Sequence, residues 1–479
     1  MNQKDTESRS ERGRAWRVAA VVWVAVGAAQ LGLVALAGTD IPWGDAWDAE
    51  GRGLYPAWRD GTWRAADFFR AHNEHRIFWT KALDVGLFWV NGQWDPLVQL
   101  AVGAGLRAWA AAGLAAMLVR ASGAGAKASG AIAAGVTLAF LPHLAWHNAL
   151  WGFQSQVYFS LGFSLLALGW LGAEGGVGWR RWAGLAAGGA ALLAMGGAAL
   201  VPVALIGLVG LRAVERRVWT GDRWRELGPA VALLGAAWAW RVEVPEHAVL
   251  QAQSVGQWAE AFLRALAWPQ VWQPAAALGL NAPLAWAVGA RVLGKRRAAT
   301  GEDFVVLMGG WAVAMAGAMA WSRGGSGEFA GAVPSRYGDF LALLPLVNGW
   351  CAVVLVREAR AGGRAGPGSR ARATSLVGAA WGLFLLVGWL GLSRETMERI
   401  IMPRVRDREA PVRLAVAFQR SGDAAVFAGQ PRLLVPHPNP ESVRAVLDDP
   451  RMRGGLPPSL QPERPLGPWS RAVRWVLGR

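Results

Sequence analysis

The sequence predicts an all-α polytopic membrane protein with about eleven transmembrane helices, interfacial helices in the first outward loop, and a small mixed α/β C-terminal tail module. Three observations carry this. The 479 residues are 53% hydrophobic and only 17% charged, and the apolar residues form runs too long for a soluble core. Many of the 30 tryptophans stand at the ends of those runs (Trp16, Trp43, Trp151, Trp182, Trp240, Trp268, Trp321), where indoles lie at headgroup level. The formal charge of +16 is scattered over short loops between runs, which is a topology signal and argues against a nucleic-acid partner.

The elements follow in order. Residues 1–17 are basic and read as a cytoplasmic N-terminus. The first apolar run, 18–37, ends in Ala35-Leu36-Ala37, similar to a signal-peptidase site, but about twenty apolar residues precede it, so an uncleaved helix is the better reading. Uncharged or nearly uncharged spanning stretches recur at 97–119, 128–146, 149–173, 272–290, 304–321, 338–356 and 374–392. A shorter one at 227–240 needs tilt to cross. The run 182–211 contains Gly196-Gly197 and Pro202, and one long helix or two short legs would both fit its length. Arg180 and Arg181 before it, with Arg212, Arg216 and Arg217 after it, favour a hairpin whose two ends lie inside.

With that hairpin, the other basic loops fall on the same side: Arg9–Arg17, Arg120 with Lys127, Arg291–Arg297 and Arg357–Arg372. Loops 38–96, 241–271 and 322–337 then face out, as does the tail 393–479 beyond the membrane domain 18–392. The tail reads as an apolar-periodic Pro411–Gln419, a strand-like Pro431–Val435, and a helix over Pro440–Leu447. This layout suits a bacterial inner (plasma) membrane with the N-terminus cytoplasmic and the C-terminus extracytoplasmic. The lone Cys351 excludes an internal disulfide.

Polar chemistry concentrates in the first outward loop, in Asp40 to Glu50 and in Glu74-His75-Arg76. Asp45 and Asp48 are spaced to share a helical face. Such acids supply a general base or a divalent-cation site, or are simply solvated charges balanced by Arg52, Arg59 and Arg64. Ile77–Gly92 is expected to lie in the outer interface, with Trp and Phe on one face and Lys81 and Asp84 on the other. Gln257–Trp268 reads as a second such helix.

Glu74-His75-Arg76-Ile77-Phe78-Trp79, followed by Leu87-Phe88-Trp89-Val90-Asn91-Gly92, resembles in order and spacing the segment that enters the second helix of GT-C membrane glycosyltransferases, which include protein mannosyltransferases and lipid A aminoarabinose transferases. The family's proline after the basic residue is missing. Ser335-Arg336-Tyr337 is similar to the Arg-Tyr entry of a late helix in those enzymes. The resemblance covers residues 1 to about 392 and implies a sugar donor on a polyprenyl phosphate, with an acceptor at the outer surface. It implies that Asp45, or Asp48 as close rival, is the base, that Glu74 assists it or holds a divalent cation, and that Arg76 and Arg336 bind the donor phosphate.

Arg107 lies near the middle of a helix and calls for a partner or a wet cavity. His143, His147, Asn148 and Gln154 cluster at two outer helix ends, where they would line a pocket or meet headgroups. No phosphate-cradling glycine loop, nucleophile elbow or zinc motif is present. Arg107 and the Gly196-Gly197 hairpin are what would support a transporter or flippase instead, and a surface-polysaccharide polymerase or ligase would share the lipid-linked donor.

Overall fold

The computed structural model describes residues 3–174, 178–217, 221–361 and 369–479. The middle of the basic loop 357–372 lies outside these. The described residues are helical, and their only strand-type pairing is an isolated bridge between His72 and His75.

The main helices are α1 (Gln3–Ala37), α2 (Phe78–Asn91), α3 (Pro96–Ser122), α4 (Ala126–Ala139), α5 (Ser155–Leu171), α6 (Trp179–Leu192), α7 (Val201–Arg216), α8 (Gly221–Ala239), α9 (Val255–Leu266), α10 (Ala276–Val292), α11 (Glu302–Arg323), α12 (Leu343–Ala361) and α13 (Ser369–Thr396). Four shorter ones follow: α14 (Met402–Arg406), α15 (Ala410–Ser421), α16 (Pro440–Leu447) and α17 (Pro468–Val476). Their starts follow local chemistry. At α3 the Asp95 carboxylate accepts from the Leu97 amide at 3.0 Å, and Pro96 occupies the first turn, where no amide is needed.

Among the described residues, six helical stretches are long and apolar enough to cross a membrane: Ser10–Ala37, Pro96–Ser122, Gly196–Arg216, Glu302–Arg323, Ser335–Ala361 and Arg372–Arg406. Ala126–Ala139 with Pro142–Leu150, bent by 42°, makes a seventh if taken as one span. The chain is therefore a multi-pass membrane protein. The expected eleven spans are not reached by this measure, and the reason is length. Helices α5 and α10 have 17 residues each, α6 has 14, and α8 opens on a charged turn with Arg223, Arg225 and Glu226.

The run 182–211 is indeed two legs, α6 and α7, joined through a 3-10 turn at Gly196–Leu200. Both glycines sit at close approaches. A Cβ on Gly197 would lie 2.6 Å from the Met315 methyl, and one on Gly196 would lie 3.2 Å from the His75 ring. The basic ends of the helices meet in a dense ion-pair layer. There Arg212 reaches Asp303 at 2.7 Å, Arg291 reaches Glu215 and Asp303 at 2.8 Å each, and Arg296 reaches Glu302 at 2.7 Å and Glu358 at 2.8 Å.

Two expectations are corrected. Helix α2 presents its charges inward: Lys81 and Asp84 are buried while Trp89 is 73% exposed. The inward charges find internal partners, Lys81 Nζ donating to the carbonyls of Asp67 (2.9 Å) and Arg70 (2.6 Å). Trp89 is thereby left at the surface while Phe88 packs inward. The tail is also not mixed α/β: Pro431–Val435 is a turn in which the Leu434 amide donates to the Pro431 carbonyl at 2.8 Å, and Pro411–Gln419 lies within α15.

The tail does not stand apart. Phe418, Phe427, Val443, Val446, Met452 and Leu460 share one core with Trp47, Leu54, Tyr55, Phe88 and Trp94 of the 38–96 segment. Polar ties seal the joint. Arg474 pairs with Asp40 at 3.1 Å and with Asp95, while Ser459 Oγ donates to Asp40 at 2.8 Å.

Candidate functional site

Asp45 sits in a turn entering the π-helical Trp47–Arg52. Gly44 before it has φ +56°, and a side chain there would press the Trp151 ring at 3.0 Å, so glycine is needed on both counts. The Gly44 amide donates to Pro436 of the tail at 2.8 Å. The Asp45 carboxylate is 45% exposed, and His72 Nε2 lies 3.9 Å from it. Asp48 is engaged: His437 Nε2 lies 3.2 Å away and Arg52 3.1 Å away. The His437 hydrogen bond, with smaller help from Ser442 and Arg52, outweighs burial and pulls the Asp48 carboxyl down to about 2.

Glu74 is clamped between His247 Nδ1 at 2.5 Å and Arg323 at 3.0 Å. Burial pushes its carboxyl up, but the His247 hydrogen bond and the Arg323 charge win and hold it near 2. Burial pushes the neighbouring His75 down, in keeping with its Nδ1 accepting the Gly196 amide at 3.3 Å. Arg76 turns to backbone, donating to the Phe69 carbonyl at 2.7 Å and the Trp240 carbonyl at 3.2 Å. Arg336 pairs with Glu328 and lies 5.0 Å from the Tyr337 ring centre.

The pocket candidates divide. His147 stacks on Trp146 at 3.7 Å, meets Trp43 at 5.5 Å, and bonds Ser335 Oγ at 2.6 Å. His143 packs edge-on to Trp389, and its Nε2 is buried without a partner among the described residues. Gln154 is buried, its backbone amide on the Trp151 carbonyl. Arg107 is fully buried against Asp339, with Nη2 at 2.6 Å and Nε at 3.0 Å from one carboxylate oxygen, and Asn148 donates to the other at 2.8 Å. It is a structural pair inside the bundle.

Several polar residues escape a reading by segments. Asp339 is a lone acid in an apolar run, and a lone arginine in another run was the available signal for it. Arg323, His247 and His437 carry no sequence mark. Neither does the buried pair Glu50 and Asp84, both of which accept from Gln99 Nε2, at 2.7 and 2.9 Å. Tyr55 Oη also donates to Glu50 at 3.1 Å. Burial dominates, lifting the Glu50 carboxyl to about 7 and Asp84 well above its ordinary range.

Among the described residues, no group of three or more His, Cys, Asp or Glu side chains is arranged to hold a metal ion. An open groove lined by Trp272, Glu328, Arg394, Glu395, Glu398 and Arg399 runs beside α13 and reaches Arg336 through Glu328. Comparisons with protein-family models, with curated proteins and with solved structures find no match for this chain.

Proposed function

We propose that the protein is an extracytoplasmic membrane glycosyltransferase of the GT-C type, moving a sugar from a polyprenyl-phosphate donor to an acceptor hydroxyl. The observation that carries this is the contrast among the three acids Asp45, Asp48 and Glu74. Asp48 and Glu74 are held ionised by fixed partners, while Asp45 is half-exposed and keeps its lone pairs accessible. A general base needs that accessibility.

Asp45 takes the acceptor proton as its oxygen attacks the anomeric carbon. The bond from that carbon to the phosphate oxygen breaks, and the lipid phosphate leaves with the negative charge, met by Arg336. Glu74 positions the segment around His75. In this reading eleven helices cross a bacterial inner membrane, the basic ion-pair layer is cytoplasmic, and the loop 38–96 with the tail lies outside. The positive-inside rule supports that orientation.

The test is turnover of purified protein on a panel of polyprenyl-phosphate sugars. Asp45→Asn should lower transfer by about a hundredfold to ten-thousandfold, with Asp48→Asn costing less. Near wild-type turnover in both Asp45→Asn and Glu74→Gln would overturn the mechanism. Substrate flux through proteoliposomes would then favour a transporter.

A further inference from the structure

Arg404, in α14, is 4% exposed, and among the described residues nothing pairs with its guanidinium. Other buried arginines are different: Arg107, Arg212 and Arg291 each lie within 3 Å of a carboxylate. A buried cation left unpaired is costly, so a fold that keeps one is expected to complete it with something.

Arg404 has company of the same sign. The guanidinium groups of Arg336, Arg404 and Arg432 all bear electrostatically on the His147 ring. The chain neighbours of Arg404, Arg432 and His147 pack together: Ile401 and Val405, Leu433, and Trp146 and Leu150 belong to one apolar cluster, and Ser335, next to Arg336, bonds the His147 ring. The acid paired with this group is Glu328, on Arg336. Three like charges gathered over an apolar floor repel one another, and their forked donors match the oxygens of a phosphate. Arg432 is exposed, so the cluster opens outward. It also adjoins the Asp45 turn, since Trp43 packs on His147 and Pro436 accepts from the Gly44 amide.

We propose that Arg336, Arg404 and Arg432 form a site for a phosphate group at the outer membrane surface. The site does not require sugar transfer. Within that reading, Arg404 and Arg432 take the place that the family resemblance implies for Arg76, whose donors are on backbone carbonyls.

The test uses the full chain in phosphatidylcholine nanodiscs. Polyprenyl monophosphate, inorganic phosphate and phosphatidylglycerol are titrated separately, following tryptophan fluorescence and thermal unfolding. Binding of at least one should weaken about tenfold or more in Arg404→Gln and several-fold in Arg432→Gln, with Arg404→Lys between. Saturation by inorganic phosphate would identify a free anion, and saturation by a lipid alone would identify a headgroup.

Without ligand, Arg404→Gln should unfold at the same or a higher temperature than wild type, because it removes an unpaired buried charge. A lower unfolding temperature would make Arg404 structural and overturn the site. So would absence of binding by all three compounds, or unchanged binding in both glutamine variants. Arg404-dependent phosphate binding with no sugar consumed would leave the site standing and remove the transferase. Sugar transfer unimpaired in both variants, with unchanged phosphate binding, would do the reverse.

Discussion

Arg107 and Arg404 are both buried arginines, one inside the helix bundle and one at its outer rim, and they are treated in opposite ways. Arg107 delivers two hydrogen bonds to Asp339, whose other oxygen is taken by Asn148. Arg404 receives no counter-ion among the described residues. The same division holds more widely. On the basic side, Arg212, Arg291 and Arg296 interlock with five acids, Glu215, Glu226, Glu302, Asp303 and Glu358. On the opposite side, Glu50 and Asp84 are buried around one neutral amide. Matched charge fixes helices against one another, whereas unmatched charge burdens the fold and marks where chemistry or binding is to be sought.

The sharpest way to break this comparison is to unmatch the matched pair. Asp339→Asn strands Arg107 in the bundle and should destabilise the protein by about 3–5 kcal/mol, the usual consequence of removing one partner of a buried ion pair. Asp339→Leu combined with Arg107→Met should recover much of that in thermal unfolding of detergent-solubilised protein. If Asp339→Asn unfolds like wild type, the pair is not the scaffold described.

The next effect comes from Glu50. Its carboxyl is raised by burial from 4.5 to about 7, so the folded state holds the proton more tightly than the unfolded chain. The stability this contributes is complete below the unfolded value and is lost as pH rises through about 7. The loss should approach roughly 3 kcal/mol. Glu50→Gln should flatten the pH dependence of unfolding between 5 and 8 and leave the variant the more stable protein at pH 8. Asp84, raised in the same direction, should add to the slope.

The smallest effect is at the tail contact. His437 is raised by its Asp48 partner, against the pull of burial. Its contribution to docking is therefore full below its unfolded value and declines as pH rises past its folded one. His437→Gln should cost under about 1 kcal/mol, as partly exposed pairs do. It should be read as faster proteolysis of the tail, most visibly on the acid side of neutrality.

What was legible in the sequence was whatever is written locally. Apolar runs, arginines flanking Trp182–Leu211 and the glycine pair at its middle sufficed for the hairpin, because length and loop charge act segment by segment. The acids of the first loop were legible as a cluster, but their individual states were not. Asp48 is decided by His437 and Glu74 by His247 and Arg323, partners far away in sequence. The face of α2 is not legible locally, because Lys81 and Asp84 look solvent-seeking until the Asp67 and Arg70 carbonyls and Gln99 supply them with internal partners. Pro431–Val435 has β-prone residues, yet the Pro431–Leu434 turn and the packing of Leu433 override that tendency.

Arg474 meets Asp40 across 434 positions of sequence, and this has a consequence for biosynthesis. At ribosomal speeds of about 5–20 residues per second, roughly 20 to 90 seconds separate the emergence of the acid from that of its cation. Over that interval Asp40 and Asp95 stand without Arg474, and the apolar residues of the 38–96 segment are without the tail side chains that cover them. The nascent protein thus passes through a stage in which most of its helices are made while the core shared by residues 38–96 and the tail is still open, a natural point for a chaperone to engage it.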